Sequence, residues 1–409
     1  MVRLVTLIAL VVSAAGCNQA NPESCELPAN QNTPACGGAG FCDDTHMCAE
    51  GVCNAGVCVE CVLNQDCADL ANPTCDTASH TCRPCGKHAD CDSEACLPTG
   101  VCVAETNVAY VANPGGGTAC TKAAPCATVN AAVARSTTHI KIEGAITDPD
   151  LTSITGKGVT ILADPGATLS RSMTGPILEV QGDNADVTIL DLAIRDGLGS
   201  GGDGVVLAGG TAKLTLERVA LIGNGGRGVF AASGGKLTMR QCVVSTNTLG
   251  GANVQNIAIE MTNNLFVANG GAGSSTGGLT LAPNVGSVFQ FNTVADNLSS
   301  TTTVATRGIN CVLAFAADSN IVTTNALGPS CTFTSSLFDG VVAGAGNRMG
   351  DPMFKNVDVA NPTGKDFYRI QAGSLAIDGG AASGATLVDI DGEPRPGGNL
   401  NDMGADELP

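Results

Sequence analysis

The chain has 409 residues, of which 53 are Gly, 20 are Cys and only 3% are aromatic, and its formal net charge is −18. So much glycine with so few rings argues against a helical bundle or an enzyme core built on large aromatic side chains. The acid excess also argues against nucleic acid as a partner, because few cations are present to replace phosphate counterions.

The first sixteen residues, MVRLVTLIALVVSAAG, are typical of an export signal, since Arg3 precedes a short apolar run and small residues come before Cys17. No later segment reaches about 20 consecutive apolar residues, so no integral membrane span is expected. The ending Ala-Ala-Gly-Cys resembles a bacterial lipoprotein signal, although Ala14 stands where that family usually has Leu. The resemblance implies lipidation of Cys17 and, because Asn18 follows, an outer-membrane or cell-surface protein. The alternative is an ordinary signal, a secreted or periplasmic protein, and Cys17 in a disulfide.

Residues 17–105 are predicted to form a small, loop-rich module stapled by disulfides. They hold 15 of the 20 cysteines, 13 Asp/Glu and 2 Lys/Arg, and no sustained apolar periodicity. Such a segment buries too little surface to fold on its core alone. Without Cys17, 14 cysteines remain, enough for seven disulfides of undetermined pairing. Two four-cysteine units stand out, Cys61 to Cys82 and Cys85 to Cys102, after a looser run from Cys25 to Cys58.

A zinc site is the alternative in this module. The spacing Cys58-x-x-Cys61 followed by Cys82-x-x-Cys85 matches four thiolate ligands. Cys67 and Cys75 lie inside the intervening loop, however, and export implies an oxidising compartment. Disulfides are therefore favoured.

Residues 106–409 contain an internal repeat, and the repeat predicts a solenoid. The segments that align are LTLERVALIGN from Leu214, LTMRQCVVSTN from Leu237, IEMTNNLFVAN from Ile259, SVFQFNTVADN from Ser287 and AADSNIVTTN from Ala316. Each pairs a run of β-forming residues at period two with a Gly-rich turn, and no helical segment intervenes. A period of 22 to 28 residues with several short strands predicts a single-stranded parallel β-helix.

Two columns of asparagine recur at fixed positions of this repeat. Asn tolerates left-handed backbone angles at tight corners, and stacked amides bond to one another along the solenoid axis. Both columns are therefore predicted to be structural ladders rather than ligand sites. The first comprises Asn224, Asn247, Asn269, Asn297 and Asn325, and the second comprises Asn264, Asn292 and Asn320.

The same register makes further predictions about side chains. Glu217 and Arg240 are expected to face each other across one rung, and Cys242 is expected to be a buried, unpaired thiol. Two disulfides are expected in this part of the chain, Cys120 with Cys126 and Cys311 with Cys331.

Both ends of this region resemble right-handed parallel β-helix proteins of the pectate-lyase-like superfamily. The start, YVANPGGGTACTKAAPCATVNAAVAR from Tyr110, resembles that family's Gly-rich opening and capping helix, here beginning near Thr128. SLAIDGG from Ser374, DIDGEPRP from Asp389 and DMGADE from Asp402 resemble its closing sequence, with Leu375 where Pro is common and Met403 where Ile is common. The resemblance implies an all-β, right-handed β-helix of about ten coils. Residues 106–150 would form the N-terminal cap and first coil, and residues 370–409 the closing motif.

The family includes lyases, hydrolases and epimerases of acidic polysaccharides as well as binding and structural proteins, so the fold leaves function open. His is absent after His139, and only Tyr368 follows Tyr110, so two common catalytic bases are scarce. The candidate acids are Asp191, Asp196 and Asp203 for catalysis and Asp183, Asp186, Asp389 and Asp391 for a metal. Most of these are interpreted as solvated turn acids. The stretch with Asp389 and Asp391 is interpreted as a structural closing clasp, because Arg395 can pair with a nearby acid. No cofactor is expected, with calcium left open.

These observations favour a non-catalytic envelope lipoprotein whose β-helix presents a surface to an envelope or extracellular glycan or protein. The alternative is a surface polysaccharide-active enzyme, a lyase, hydrolase or epimerase. It would use carboxylates on one face of the β-helix, with Lys213, Arg227 or Arg348 as cationic partners. A purely structural spacer is the third interpretation.

Overall fold

The computed structural model describes residues 42, 47–48, 50–233, 235–271, 274–299, 307–324, 326–328, 330–382 and 388–408. The signal segment, Cys17, Cys25, Cys36 and Asn325 lie outside the described residues. The chain forms two compact units, Met1–Ala104 and Glu105–Pro409. No helix in the described ranges is long and apolar enough to span a bilayer.

The first unit is built on two antiparallel hairpins and a ladder of disulfides. Its strands are β1 Val52–Asn54 with β2 Val57–Val59, and β3 Thr74–Asp76 with β4 Thr81–Arg83. Short 3-10 turns lie at Asn64–Asp66 and His88–Asp90. The disulfides of the described residues are Cys42–Cys53, Cys48–Cys58, Cys61–Cys75, Cys67–Cys82, Cys85–Cys96 and Cys91–Cys102.

These pairings show one rule, first cysteine with third and second with fourth, repeated in three consecutive units. The run Cys42 to Cys58, which looked looser in the sequence, follows it as well. The four cysteines with zinc-like spacing belong to four different disulfides, so they are not available as thiolate ligands.

The second unit is a parallel β-helix with three sheets. Sheet 1 has ten strands: β5 Val108–Ala112, β6 His139–Glu143, β9 Gly158–Ala163, β12 Asp186–Leu190, β15 Lys213–Glu217, β18 Lys236–Arg240, β21 Ala258–Thr262, β24 Val288–Gln290, β27 Phe315–Asp318 and β30 Cys331–Thr334. Sheet 2 has ten: β7 Ala145–Asp148, β10 Thr168–Arg171, β13 Ala193–Arg195, β16 Ala220–Ile222, β19 Val243–Ser245, β22 Leu265–Val267, β25 Thr293–Ala295, β28 Ile321–Thr323, β31 Leu337–Phe338 and β32 Arg348–Met349. Sheet 3 has eight: β8 Thr152–Thr155, β11 Leu178–Gln181, β14 Val205–Ala208, β17 Arg227–Ala232, β20 Gly250–Gln255, β23 Leu279–Ala282, β26 Arg307–Cys311 and β29 Ala326–Leu327.

The chain visits sheets 1, 2 and 3 in turn, and every strand pairs in parallel with its counterpart in the next coil. Because sheet 3 has eight strands, eight coils of the described residues have all three strands. The expected ten coils overstate this number, since the first and last turns lack a strand in sheet 3. The all-β parallel solenoid itself is confirmed.

One short helix, α1 Val129–Val133, lies near the start of this unit. The Thr128 side chain caps it by accepting a hydrogen bond from the Ala131 backbone amide at 3.2 Å. The helix buries Val129 and Ala132 against the core of the first coils. The Cys120–Cys126 disulfide closes the loop before the helix.

Inward-facing aliphatic side chains from all three sheets form one continuous core. Cys242 is part of it as a buried free thiol, and burial raises its pKa to about 12. In the last coils, Cys311 pairs with Cys331.

The asparagine columns form hydrogen-bonded chains inside this core. Asn224 donates through its side-chain nitrogen to Asn247 Oδ1 at 2.9 Å, and Asn247 donates to Asn269 at the same distance. Asn264 and Asn292 are linked in the same way at 2.9 Å. The left-handed residue of each corner is, however, the one before the asparagine, as at Thr246 (φ 57°). The expected reason for the asparagines is thus corrected: they face inward and satisfy backbone groups of neighbouring coils, as Asn247 does for Leu221 O.

The expected Glu217–Arg240 contact is also corrected. The two residues stand opposite each other in β15 and β18, as the register predicted. Arg240 instead pairs with Glu260, and Glu217 pairs with Arg218. Glu217 pairs with Arg218 because Arg218 is its neighbour in the chain, at the corner that follows β15.

After β32 the chain folds back over the outer face of sheet 2. Phe367, Tyr368, Ile390 and Ala405 pack on Leu265, Val267 and Ala295, while Ile370, Ala376 and Met403 pack on Ile321 and Leu337. The strands β22, β25, β28 and β31 are therefore buried on both faces, whereas β7, β10 and β13 keep outward residues partly or fully exposed.

Candidate functional site

A groove of about 570 Å³ lies over the part of sheet 2 that the C-terminal segment leaves open. Its floor is formed by β10, β13 and β16, and the outward residues include the small Thr168, Ala193 and Ala220 together with Arg195 and Ile222. Residues 359–363 form one wall. Clefts that hold small ligands usually measure roughly 300–1,000 Å³, so the groove has the size of a binding site.

The charged centre of the groove is an ion pair between Asp191 and Arg218. Arg218 Nε lies 2.6 Å from Asp191 Oδ1, and Arg218 Nη2 lies 3.0 Å from Asp191 Oδ2. Both residues adopt left-handed backbone angles, φ 62° and 53°, at the same corner of adjacent coils, between sheet 1 and sheet 2. This stacking places the guanidinium one rung from the carboxylate in a bidentate arrangement. The hydrogen bond with Asp191 raises the pKa of Arg218 above its ordinary value.

A second pair borders the groove. Arg195 lines it at the end of β13, and its Nε donates to Asp196 Oδ2 at 2.8 Å. Asp196 stands at the left-handed corner between sheets 2 and 3, with φ 63°. Both side chains are about half exposed, so they remain accessible to a ligand.

Asp203 belongs to a different surface, at the edge of sheet 3. It is buried and accepts the backbone amide of Arg227 at 2.6 Å, while Arg227 Nη1 lies 3.5 Å from its other oxygen. The Arg227 guanidinium also lies 5.0 Å from the centre of the Phe230 ring. Burial raises the pKa of Asp203 above its ordinary value.

The five acids that cluster in the sequence do not meet in space. Asp183 lies in the turn between sheets 3 and 1 and accepts the Thr211 amide at 3.0 Å, and Asp186 on β12 lies 3.6 Å from Lys213 Nζ. Asp191 lies at the corner between β12 and β13, and Asp196 and Asp203 lie at the two ends of the connection between β13 and β14. The five acids are close in sequence, but a coil of the solenoid places them on different sides of the axis. None of the five belongs to a set of three potential metal ligands in the described residues.

Asp389 and Asp391 do come together with a third carboxylate, Asp406. Asp391 is held by Arg369, with Nε to Oδ2 at 2.6 Å and Nη2 to Oδ1 at 2.8 Å. Asp389 accepts the backbone amides of Asp391, Glu393 and Glu407 at 2.8–2.9 Å. The Arg369 guanidinium thus occupies the position beside Asp391 that a metal cation would take. The arrangement is a structural clasp that holds the C-terminal segment together.

The remaining basic candidates are structural or lie elsewhere. Arg348 donates to the backbone carbonyls of Leu375, Ile377 and Asp378 at 2.8–2.9 Å. Arg395 pairs with a nearby acid, as the expected clasp requires, and that acid is Glu407, at 2.7 Å. The expected clasp is therefore extended by Arg369, Asp406 and Glu407.

Sequence reasoning missed Arg195, Arg218 and the wall at 359–363. The signal for Arg218 was present, because it aligns with Asp191 at the residue that follows each strand of sheet 1. The wall gave no signal, since it comes from a distant stretch of chain.

Comparison with known proteins agrees with the geometry. Residues 179–356 match the family model described as "Right handed beta helix region". The solenoid is a right-handed parallel β-helix. Among solved structures, the chain is similar to pectate lyase Pel9A, with 14% identity over 75% of this chain and 98% of that one and a TM-score of 0.42. It is also similar to the deglycosylated pectin methylesterase from Aspergillus niger, with 13% identity, 60% and 86% coverage and a TM-score of 0.39. Neither likeness is close enough to bear on function, and no curated protein sequence matches the chain significantly.

Proposed function

We propose that the β-helix binds a neutral, hydroxyl-rich glycan in the groove of sheet 2 and does not catalyse its conversion. The observation that supports this most is the accessible Asp191–Arg218 pair in a groove of about 570 Å³. Vicinal hydroxyls can donate to the carboxylate and accept from the guanidinium, and Asn361 and Thr363 add polar groups on the facing wall.

The charge balance of the groove favours a neutral ligand. Arg195 is matched by Asp196, and Arg218 contacts both Asp191 and Glu217. Both guanidinium groups of the lining are therefore already paired, with Asp191 inside the groove and with Asp196 and Glu217 beside it. An acidic polymer would have to compete with these carboxylates for the guanidinium groups, whereas a neutral saccharide leaves the ion pairs intact.

The same pairing favours binding over catalysis. A hydrolase needs two carboxyl groups facing the sugar, one protonated and one ionised. Asp191 is the one carboxylate among the described residues that line the groove, and both of its oxygens accept hydrogen bonds from Arg218.

Binding should be measured by calorimetry with neutral polysaccharides on the full disulfide-bonded chain. The double variant D191N/R218Q removes both charges and is expected to weaken binding about tenfold or more, since hydrogen bonds to charged groups are the stronger ones. The control D76N/R83Q removes an ion pair from the disulfide module and should leave affinity unchanged. Equal affinity of D191N/R218Q and the unaltered chain would rule out the groove, and release of new reducing ends would rule out a purely binding role.

A second candidate function, polysaccharide turnover, is favoured by Asp203. A carboxyl whose pKa is raised by burial is suited to act as a general acid. The neighbouring Arg227 and Phe230 would supply a cation and a ring for a sugar. If this site is catalytic, D203N must abolish product formation on acidic or neutral polysaccharides; absence of any product from the unaltered chain contradicts it.

We also propose that the protein is exported and anchored through a lipid on Cys17. Eight disulfides in the described residues support folding in an oxidising compartment. Cys17→Ser is expected to release the protein from the membrane fraction. A Cys17→Ser protein that stays with membranes would contradict lipid anchoring.

A further inference from the structure

The wall of the groove is the tip of a loop that is anchored at its base. Residues 357–366, here called the wall loop, include the residues 359–363 that line the groove. At the base of the wall loop, the Lys355 amide donates to the Arg369 carbonyl at 2.7 Å. Phe367 packs on the covered half of sheet 2. The position of the wall therefore depends on what holds Arg369.

Arg369 joins this base to the C-terminal clasp. Its side chain is only 7% exposed and donates two hydrogen bonds to Asp391, at 2.6 and 2.8 Å. Its Nε also lies 3.7 Å from Oδ1 of Asp406, whose Oδ2 accepts the Ile370 amide at 2.8 Å. One guanidinium is thus placed between two carboxyl groups and is bidentate with one of them. The charge on Asp406 decides how strongly it competes for Arg369.

The carboxyl groups at this point outnumber the guanidinium. One oxygen from each of Asp389, Asp391 and Asp406 lies within 4.8 Å of the others. Asp389 is fully buried and Asp406 is 5% exposed, and a buried charge is costly unless it is paired. With all three ionised, two negative charges are left over after Arg369 is counted. A proton on one carboxyl group relieves this excess.

Asp406 is the group that takes the proton. Burial raises its pKa to about 7, although Arg369 and the Ile370 amide lower it, and Asp389 and Asp391 raise it further. Once ionised, Asp406 competes with Asp391 for Arg369, because the other charged groups on the packed elements have partners of their own. These pairs are Arg395 with Glu407, Asp402 with the Asp378 amide, and Asp296 with the Tyr368 hydroxyl.

We propose that Asp406 is a proton-operated latch for the wall of the groove. Protonated Asp406 leaves Arg369 bidentate on Asp391 and the wall loop fixed. Ionised Asp406 draws Arg369 away from Asp391, which releases the base of the wall loop from the clasp and lets the wall move away from the floor. The movement of the loop does not depend on glycan binding, whereas its effect on affinity rests on the proposed function.

Proton linkage gives the direction of the effect. With the wall loop closed, the pKa of Asp406 is about 7, and in solvent it returns toward the ordinary value of 3.8. The closed state therefore binds more protons, so its stabilisation is complete at low pH and is lost as pH rises through about 7. Between pH 5 and pH 8 the ratio of closed to open loop should fall by at most about a hundredfold.

The test is hydrogen exchange on the full disulfide-bonded chain from pH 5 to pH 8, with each rate divided by the intrinsic rate of that amide at the same pH. Protection of the Lys355 and Tyr368 amides, which bond across the base of the wall loop, should fall about tenfold or more and level off above pH 7. D406N stays neutral and keeps an oxygen for the Ile370 amide, so its profile should be flat.

Two further variants sharpen the test. D391N removes a neighbouring negative charge and the competitor for Arg369, so the fall in protection should move to lower pH. D148N is the matched control, because burial also raises the pKa of Asp148, in the first coils and outside the clasp. D148N should keep the profile of the unaltered chain.

Two results would overturn the latch. One is a D406N profile as steep as that of the unaltered chain. The other is equal protection of the wall loop and of β15 at every pH, since the loop would then open only when the whole chain unfolds.

Calorimetry at pH 5 and pH 8 with dextran, mannan and xylan separates the latch from the groove. These neutral polymers do not titrate, so weaker binding at pH 8 that D406N restores supports control of the groove by Asp406. Equal affinity at both pH values contradicts that control. Absence of binding at either pH, with the fall in protection intact, contradicts the proposed function and still supports the latch.

Discussion

The two halves of sheet 2 differ in whether the C-terminal segment covers their outer face. The outward residues of β22, β25, β28 and β31 include Leu265, Val267, Ile321 and Leu337, and the C-terminal segment buries them. Those of β10, β13 and β16 include Thr168, Ala193 and Ala220, and the groove lies over them. The strands have the same register and the same inner core, so the difference lies only in the outward side chains and what covers them.

One column of corner residues shows the same division. Asp191 and Arg218 pair with each other in the open half. In the covered half, the equivalent corners serve the returning chain: Gln241 donates to Asp389 O at 2.5 Å, Asn263 donates to Val388 O at 2.7 Å, and Ser319 O accepts from the Gly404 amide at 2.8 Å. The C-terminal segment therefore covers the sheet as far as the corner residues that hydrogen-bond to it. Beyond that point, the corner residues pair with each other.

The largest effect is expected from breaking the clasp. Arg395 and Glu407 are almost completely buried, and Arg395 also donates to the carbonyls of Asp402 and Gly404. R395M leaves a buried carboxylate uncompensated and should cost about 3–5 kcal/mol of unfolding free energy. Hydrogen exchange should show loss of protection in residues 388–408. R395M/E407Q, which removes the stranded charge, should recover part of the loss; unchanged protection in R395M would contradict the clasp.

A truncation in each half tests the comparison directly. Leu265 faces outward yet is 0% exposed beneath the C-terminal segment. L265A should therefore cost about 2–5 kcal/mol, as for a core position. T168A, at an outward position in the open half, should stay within about 0.5 kcal/mol. Similar costs for the two, measured by denaturant unfolding, would show that the halves are not distinct.

The covered half should also respond to pH. Burial raises the pKa of Asp402 to about 6 and that of Asp406 to about 7, although Arg369 and the Ile370 amide act against burial at Asp406. Because these folded-state values exceed the ordinary value of 3.8, the folded protein binds more protons between about pH 4 and 7. Their contribution to stability is therefore complete at low pH and is lost as pH rises through 6 to 7.

Unfolding free energy measured from pH 5 to pH 8 should accordingly fall toward pH 8, with a weaker fall in D406N, which stays neutral. Asp203 titrates in the same direction, so D203N is the matched comparison outside the clasp. A D406N profile as steep as that of the unaltered chain would exclude Asp406 as a source.

The smallest stability effect is expected in the groove. The Asp191–Arg218 pair is about one-third exposed on both sides, and such pairs contribute about 0–1 kcal/mol. D191N/R218Q should therefore unfold almost like the unaltered chain while losing glycan affinity. A loss of several kcal/mol would mean that the pair is structural, like the clasp, and that the groove is part of the scaffold.

Much of the scaffold was predictable because it repeats. The aligned segments placed Leu216, Met239 and Met261 in one inward column, and the structure places them so. Among the candidate site residues, Asp191 was correctly placed at a corner, but its partner Arg218 was not recognised. The five-acid cluster was misleading, because neighbours along a coil point in different directions around the axis.

The sequence by itself determined the coil. Period-two apolar runs, glycine-rich turns and inward asparagines recur every 22 to 28 residues, and each coil can only bury its apolar face by stacking on the next. The tertiary structure alone decided which outer surfaces stay open. That depends on where the chain returns after β32, through contacts between residues as far apart in sequence as the 148 positions between Gln241 and Asp389, which no local period encodes. The groove and the clasp both follow from that return and from the rung-by-rung register.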